Sequence, residues 1–594
     1  MAQQFPQRND SSQMKLLLQP DDHADLPQEE CKPVCEGECD AKESTHEASA
    51  CPVKSLSVGD EKGSERKSDE QVGKEREEKA ANSCCSLDDL KRLPKCHQGL
   101  DQLSFSKTHT VLIDVDIFNI DGSVKAQEGR DMWHNNFVKM PCSPASVMTA
   151  KTGLLKLQNS GVKRWGVICK ELERLAKKKE VTVDNVMGAI MEYNPKYKGQ
   201  WSFDALSTFI KIIPEVENYY PSLFPKIAAL ALKLHRCLKK AIPLLQKGQT
   251  ASIILSQVQI ACLLANAFYC TFPHRNTSHP NAEYHNYPTI NFNSLFGNWS
   301  GRKKEKLRAI LHYFKTVTDD NFKGGLVTFE RHCLKDADIP KWRSCKEVMS
   351  DLHVTSDGHI ETEGQGMLQV DFACNLIGGG VLSSGLVQEE ILFLMNPELI
   401  VSRLFTERLG DDECLIIKGS QQFSHYTGYK DSFEWAGPHD DSLTHGKRDE
   451  WGRLHRHILA IDAVHYKLRS EQYSMIKVTR ELNKAYCGFK AYDKSEPDIA
   501  TGKWGCGAFN GDPELKAVIQ LMAAAVAKRG MAFFALRDDT LKKSLQHIHH
   551  LLTTQEVTVG RLYGYLEDYC ADQQRAHGSH LSLFHFLFEK LSMV

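Results

Sequence analysis

The sequence predicts an α/β protein: a mixed sheet between helices, preceded by a mostly helical accessory domain and a polar N-terminal tail. Three observations carry this. Residues 1–83 are rich in Gln, Glu, Lys, Ser and Asp and poor in aromatics. Between Trp165 and Thr316 apolar residues recur with helical period. After Gly324 short strand-like runs alternate with helical ones, the pattern of a layered α/β sheet.

The 594 residues suffice for two or three domains, which we place at 1–84, 85–322 and 323–594. A formal charge of −2 gives no global basic field, so sequence-specific binding of nucleic acid is not expected. The 19 cysteines are scattered, and MAQQFPQRND lacks the basic-then-apolar pattern of a secretory leader. A reducing compartment, nucleus and cytoplasm, is the expectation. The longest apolar run, Ile253 to Phe272, is broken by Ser256, Gln257, Gln259 and Asn266. It reads as a buried helix, and no membrane association is expected.

In chain order, the tail buries too little apolar surface to offset its ordering entropy and reads as disordered. Cys31, Cys35, Cys39 and Cys51 lack firm zinc spacing, and the basic residues from Lys62 to Lys79 are interrupted by acids. THTVLIDVDIF, from Thr108, is strand-like. Helical periods cover Trp165–Lys178, Phe203–Glu217, Phe224–Gln246 and Arg302–Thr316. Ser256 with Gln259 forms a capping box that opens a helix through Phe272. Farther on, strands are expected at Leu326–Phe329, Met367–Ala373, Cys414–Lys418, Ile458–Ala463 and Met531–Leu536. Helices are expected at Val387–Met395, Glu398–Thr406, Met475–Ala485 and Glu514–Lys528, the last with Asp512 as N-cap and Pro513 at the first helical position.

The chemistry concentrates between Gly366 and Asn396. A strand ending near Asp371 leads to Gly378-Gly379-Gly380, and a small-residue loop then reaches Gln388-Glu389-Glu390 at the start of a helix. Three glycines tolerate positive φ, and their amides can converge on an anion. Carboxylates beside such a turn are electrostatically awkward unless chemistry needs them. Cleavage at a glycosidic carbon does: one carboxyl protonates the leaving oxygen and another stabilises the cationic sugar. Glu389 and Glu390 point about 100° apart on a helix, so they take different roles. The plainer reading is a helix N-terminus dressed with acids to suit its dipole. A second glycine loop, Trp504 to Phe509, precedes the helix capped by Asp512. His547, His549 and His550 have no partner at ligand spacing and Cys374 no evident base, so neither a metal nor a cysteine nucleophile is expected.

The GGG and QEE elements resemble the signature of the poly(ADP-ribose) glycohydrolase family. Further segments similar to the family are WHNNFVKMPCS (133–143), LANAFYCTFP (264–273), YPTINFNSLF (287–296), GLVTF (325–329), YTGY (426–429), RELNKAYCGF (480–489) and TGKWGCGAF (501–509). The resemblance runs from about Leu87 to the C-terminus.

It implies a macrodomain-like sheet that binds ADP-ribose, and a hydrolase that releases ADP-ribose by cutting ribose–ribose O-glycosidic bonds in poly(ADP-ribose). It gives proton transfer to Glu390 and substrate positioning to Glu389 and Asp371. Substrate binding falls to Gly378, Gly379, Gly380 and Gln388, to Gly505, Cys506, Gly507, Ala508 and Phe509 around the pyrophosphate, to Tyr429 as a clasp, and to Ile360 and Glu361 at the adenine edge. No cofactor or metal is implied. The partners implied are poly(ADP-ribose) and the proteins that carry it, for a monomer acting in the DNA damage response. Cys374 and Lys503 stand where the family usually has Asn, and Leu536 where an aromatic is common; these departures bear on affinity. Two other readings compete: an ADP-ribose-binding module with little turnover, and release of single ADP-ribose units from proteins.

Overall fold

The structure is a computed structural model that describes residues 84–93, 108–148, 162–277, 279–322, 324–439, 448–449, 451–492, 496–575 and 581–592. The expected disordered tail, its cysteines and the Lys62–Lys79 stretch lie outside them. Eleven strands matter here: β1 (His109–Val111), β2 (Ala251–Ser256), β3 (Leu326–Cys333), β4 (Leu352–Thr355), β5 (Leu368–Ala373), β6 (Glu413–Lys418), β7 (Ser424–Thr427), β8 (Glu434–Pro438), β9 (His457–Asp462), β10 (Ile499–Gly502) and β11 (Met531–Phe534). Nine of them form one mixed sheet in the order β1-β2-β3-β6-β9-β5-β10-β11-β4. β7 and β8 form a separate antiparallel hairpin.

The five strands β9, β5, β10, β11 and β4 run parallel, while β6 is antiparallel to both β9 and β3. Helices cover both faces, because side chains alternate along each strand. Leu415 and Ile417 of β6 face a core built with the N-terminal helices. Cys414 and Ile416 face the opposite core, built with the helices Met475–Phe489 and Pro513–Ala527 and the C-terminal helices. β1 and β2 come from the segment read as helical and extend the sheet past β3, so the sheet crosses residue 323.

Several local expectations change. The Ile253–Phe272 run divides at Ser256 into strand β2 and the helix Gln257–Phe268. The capping box makes that division: Gln259 N donates to Ser256 Oγ at 3.1 Å, and Ser256 N to Gln259 Oε1 at 2.9 Å. The strand in THTVLIDVDIF stops at Val111, because Asp114 caps a helix over Val115–Asp121, accepting from Ile117 N at 3.2 Å. The helix expected to Glu217 ends at Ile212, before Pro214. The one expected over Phe224–Gln246 spans Tyr220–Leu232, followed by a short turn of helix at Leu234–Cys237. Beyond it the backbone pairs elsewhere, with Val138 N on Ile242 O and Leu245 N on Phe405 O. Glu398–Thr406 is a 3-10 turn, Pro397–Val401, followed by Ser402–Phe405. Strands β4 and β10 were not foreseen. Arg302–Thr316 appears as the helix Gly301–Val317, and Asp512 accepts from Glu514 N and Leu515 N with Pro513 at the first helical position.

Candidate active site

The parallel strands end at a crevice between β5 and β10, where ligands are expected in open α/β sheets. β10 pairs with β5 only through Leu368 and Gln369. Leu368 N donates to Asp498 O, at the near end of β10. Val370 O and Phe372 N lie on the same strand edge by the period of two, but β10 has diverged. The Gln388 side chain fills the gap: Phe372 N donates to its Oε1 at 2.8 Å, and its Nε2 donates to Val370 O at 3.3 Å. Gln388, expected to bind substrate, therefore engages its amide with the strand and docks the helix Gln388–Met395 against it.

That docking brings the three acids together. Asp371 is fully buried, and among the described residues neither of its carboxyl oxygens has a hydrogen-bond partner. Burial, then the charge of Glu390, pushes its carboxyl well above the usual carboxylate range. Glu389 accepts from Cys374 N at 2.9 Å and Gly378 N at 2.6 Å. Its carboxyl is also raised, by burial and by its acidic neighbours Asp371 and Glu390, against the pull of those two amides. Glu390 accepts from Gly380 N at 2.8 Å and Val387 N at 2.9 Å. The second bond is half of a capping box: the third residue of the helix reaches back to its N-cap amide. The plain reading of these acids, as groups that suit a helix end, thus has a counterpart in Glu390, whose carboxyl caps the helix.

The triple glycine works differently from expectation. Gly378 N and Gly380 N serve the two glutamates, and Gly379 N donates to Leu376 O. The three glycine amides are engaged by protein groups and do not form an open anion nest. Gly379 is required because the acids press on it: a Cβ there would lie 2.9 Å from Glu389 Oε2 and closer still to Glu390 Oε1.

Two buried cations, missed from the sequence, hold the carbonyl side of this loop. Arg403 donates to Ile377 O at 2.8 Å and Gly379 O at 3.0 Å. Lys306 donates to Gly380 O and Ser383 O at 2.9 Å, to Val381 O at 3.3 Å, and to Gly385 O. Burial lowers Arg403 to about 10, while Glu389 and Glu390 hold its proton on. A signal for Lys306 was present: it falls in phase with Leu307, Ile310 and Phe314 on the buried face of its helix.

Tyr429 sits half-exposed on the turn between β7 and β8, its hydroxyl beside the Gln388 amide at the start of the acid-bearing helix. Burial and the charge of Glu390 raise its phenol. The turn is tied down by Arg302, whose Nε is 2.6 Å from Asp431 Oδ1 and whose Nη1 donates to Ser384 O at 3.4 Å. Tyr426 donates to Glu361 Oε1, which brings Glu361 to the same hairpin. Ile360 is buried against Met367, Ala500 and Phe534, and its carbonyl accepts from Gln369 Nε2 at 3.0 Å.

The second glycine loop lies at the end of β10. Trp504 is buried, with Nε1 donating to Ile461 O at 3.0 Å, and Gly505, at φ +74°, packs where a Cβ would meet Ala463. Cys506 is half-buried, its thiol pushed up to about 12 by burial. Gly507 and Ala508 are exposed. Among the described residues no backbone carbonyl takes either amide. Phe509 packs edge-on against His465 at 5.6 Å. The helix behind the loop is closed by Asp512, which also accepts from Tyr473 and Arg469. An anion here would meet loop amides and not the helix end.

Of the departures, Cys374 gives its amide to Glu389, and Asn375 Oδ1 accepts from Arg408 at 3.0 Å. Lys503 lies 3.5 Å from Asp538, and Leu536 is exposed with φ +49°. Among the described residues no cluster of three His, Cys, Asp or Glu is placed to hold a metal ion; His549 Nε2 meets Ser350 O at 2.9 Å. No described helix is long and apolar enough to cross a membrane.

A mixed sheet with a buried acid on a central parallel strand and two more on the helix docked against it, beside a helical segment, defines a macro-domain glycosidase. Comparison with known proteins agrees. Residues 339–543 match the family model described as the poly(ADP-ribose) glycohydrolase macro domain fold, and residues 214–331 match the helical domain of the same family. Poly(ADP-ribose) glycohydrolase 1 of Arabidopsis thaliana is 30% identical over 453 residues, covering 61% of this chain and 81% of that protein. Poly(ADP-ribose) glycohydrolase 1 of Caenorhabditis elegans is 32% identical over 392 residues, covering 62% of this chain and 48% of that protein. The chain belongs to the poly(ADP-ribose) glycohydrolase family.

Proposed function

We propose that this chain hydrolyses the ribose–ribose O-glycosidic bonds of poly(ADP-ribose) and releases ADP-ribose, with Glu390 as the proton-transfer group. The observation that carries the reading is the buried triad Asp371, Glu389 and Glu390, with both glutamates held by pairs of backbone amides beneath Tyr429.

Glu390 gives a proton to the departing ribose hydroxyl as the sugar becomes oxocarbenium-like. The resulting carboxylate takes a proton from the attacking water, so the residue ends the cycle as it began. Hydrogen bonds from two backbone N–H groups fix the Glu390 carboxyl, which limits the reorganisation needed at the moment of reaction. Glu389 orients the substrate through sugar hydroxyls. Asp371, without a hydrogen-bond donor of its own, sits at the end of the strand facing the same space. The exposed amides of Gly507 and Ala508 receive the pyrophosphate, and Tyr429 closes over the ligand, where aromatic stacking adds about 1–3 kcal/mol. Family membership and the intact acid cluster together support turnover over a purely binding role.

Glu390→Gln keeps the shape of the side chain and removes its acid. Hydrolysis of labelled polymer by this variant is expected to fall by about 1,000-fold or more, with ADP-ribose binding by calorimetry close to wild type. Wild-type turnover by Glu390→Gln refutes the assignment.

A further inference from the structure

We propose that Lys306 is a positioning residue: it grips the carbonyl side of the Gly380–Gly385 turn, so that the amide side of that turn keeps Glu390 aimed at the glycosidic oxygen. This rests on the reading of Glu390 as the proton-transfer group. Lys306 is fully buried and meets four backbone carbonyls, those of Gly380, Val381, Ser383 and Gly385. Gly380 meets both groups: its C=O accepts from Lys306 and its N–H donates to Glu390. The second donor to Glu390 is Val387 N, two residues beyond the turn. A Cβ on Gly385 would lie 3.0 Å from Glu390 Cδ, so the turn and the carboxyl are in direct contact.

The two cations hold successive parts of the loop. Arg403 holds Ile377 O and Gly379 O, the carbonyls of the peptide units whose N–H groups, Gly378 N and Gly380 N, serve Glu389 and Glu390. Lys306 holds the stretch that follows, from Gly380 O to Gly385 O. It comes from the helix Gly301–Val317, which also fixes the clasp: Arg302 pairs with Asp431, and Glu305 Oε2 accepts from Trp435 N at 3.0 Å. One helix of the N-terminal segment thus sets both the acid and the lid of the macro domain.

The groups facing the ammonium are the four carbonyls, Glu390, which holds its proton on, and Lys303, Arg302 and Arg403, which push it off. With burial dominant, the amine is lowered to about 7. Deprotonation leaves two N–H donors for four carbonyls and removes the charge opposite Glu390.

The test replaces Lys306 by Met, which fills the site without donors, and by Arg, which keeps charge and donors and does not titrate. For Lys306→Met, kcat on polymer is expected to fall by about 100-fold with KM within about threefold. A role in folding alone would lower the melting temperature and leave kcat intact, and that result overturns the proposal. If the Met variant does not fold, the Arg variant decides. Wild-type kcat is expected to decline above about pH 7, and Lys306→Arg to lack that decline; an identical alkaline limb in both overturns the proposal. Glu390→Gln separates the two readings: if it is inactive while Lys306→Met turns over normally, only the Lys306 inference falls, and if it is active the reading of Glu390 falls first.

Discussion

The two glycine loops look alike in sequence and are opposites in structure. In the first, Gly378 N and Gly380 N hold glutamates, and the carbonyls of Ile377 and Gly379 to Val381 hold buried cations. In the second, a Cβ on Gly507 would meet nothing within 4 Å, and among the described residues no backbone carbonyl takes the Gly507 or Ala508 amide. The first loop is an internal scaffold whose ligands are the protein's own side chains. The second closes on itself through backbone turns and leaves Gly507 open. Glycine is needed at Gly379 and at Gly505 because neighbours crowd them, while Gly507 has room for a side chain.

Substitutions at the two loops should separate these roles. Gly379→Ala places a methyl group against Glu389 and Glu390 at a left-handed φ of +42°. Polymer hydrolysis is expected to fall by about 1,000-fold, with a stability loss of about 1–3 kcal/mol in denaturant titration. Wild-type kinetics would show that the glycine amides do not position the acids. At the open loop, Gly507→Asp adds a negative charge without crowding. Calorimetry is expected to show ADP-ribose binding weakened by about tenfold, and the melting temperature to stay within about 1 °C. Unchanged binding would move the pyrophosphate away from this loop.

The smallest expected effect concerns the strand acid. Asp371 and Glu389 both have carboxyls raised in the folded state. Such groups bind more protons folded than unfolded, so their stabilising contribution is complete below the ordinary carboxylate range and is lost as pH rises toward their folded values. The free energy of unfolding in denaturant titration should therefore decline from pH 5 to pH 8, and that of Asp371→Asn should decline less, a difference of about 1 kcal/mol at the upper end. Parallel curves for the two proteins would show that Asp371 ionises without cost in its buried setting.

Much of the site was legible because its parts are close in sequence. The acid-bearing helix with its N-terminal glutamates, the capping box at Ser256 and the Asp512-Pro513 helix start all follow from spacings of a few residues, which local geometry fixes. The Ile253–Phe272 run misled because an apolar stretch fits a buried strand as well as a buried helix; only the cap at Ser256 divides it. Arg403 is hidden because a buried cation facing carbonyls looks, in one dimension, like a surface one; for Lys306 the helical phase shows burial but not which carbonyls it meets.

The sequence by itself determined the class of fold, through composition and periodicity, and its motifs carried the resemblance to the family. The tertiary structure decided which group each site residue holds. That Gln388 completes an unpaired strand edge, that the triple glycine faces its own glutamates, and that a lysine about 75 residues upstream grips the loop are long-range pairings. They arise because buried backbone groups must find a partner wherever the packed chain brings one.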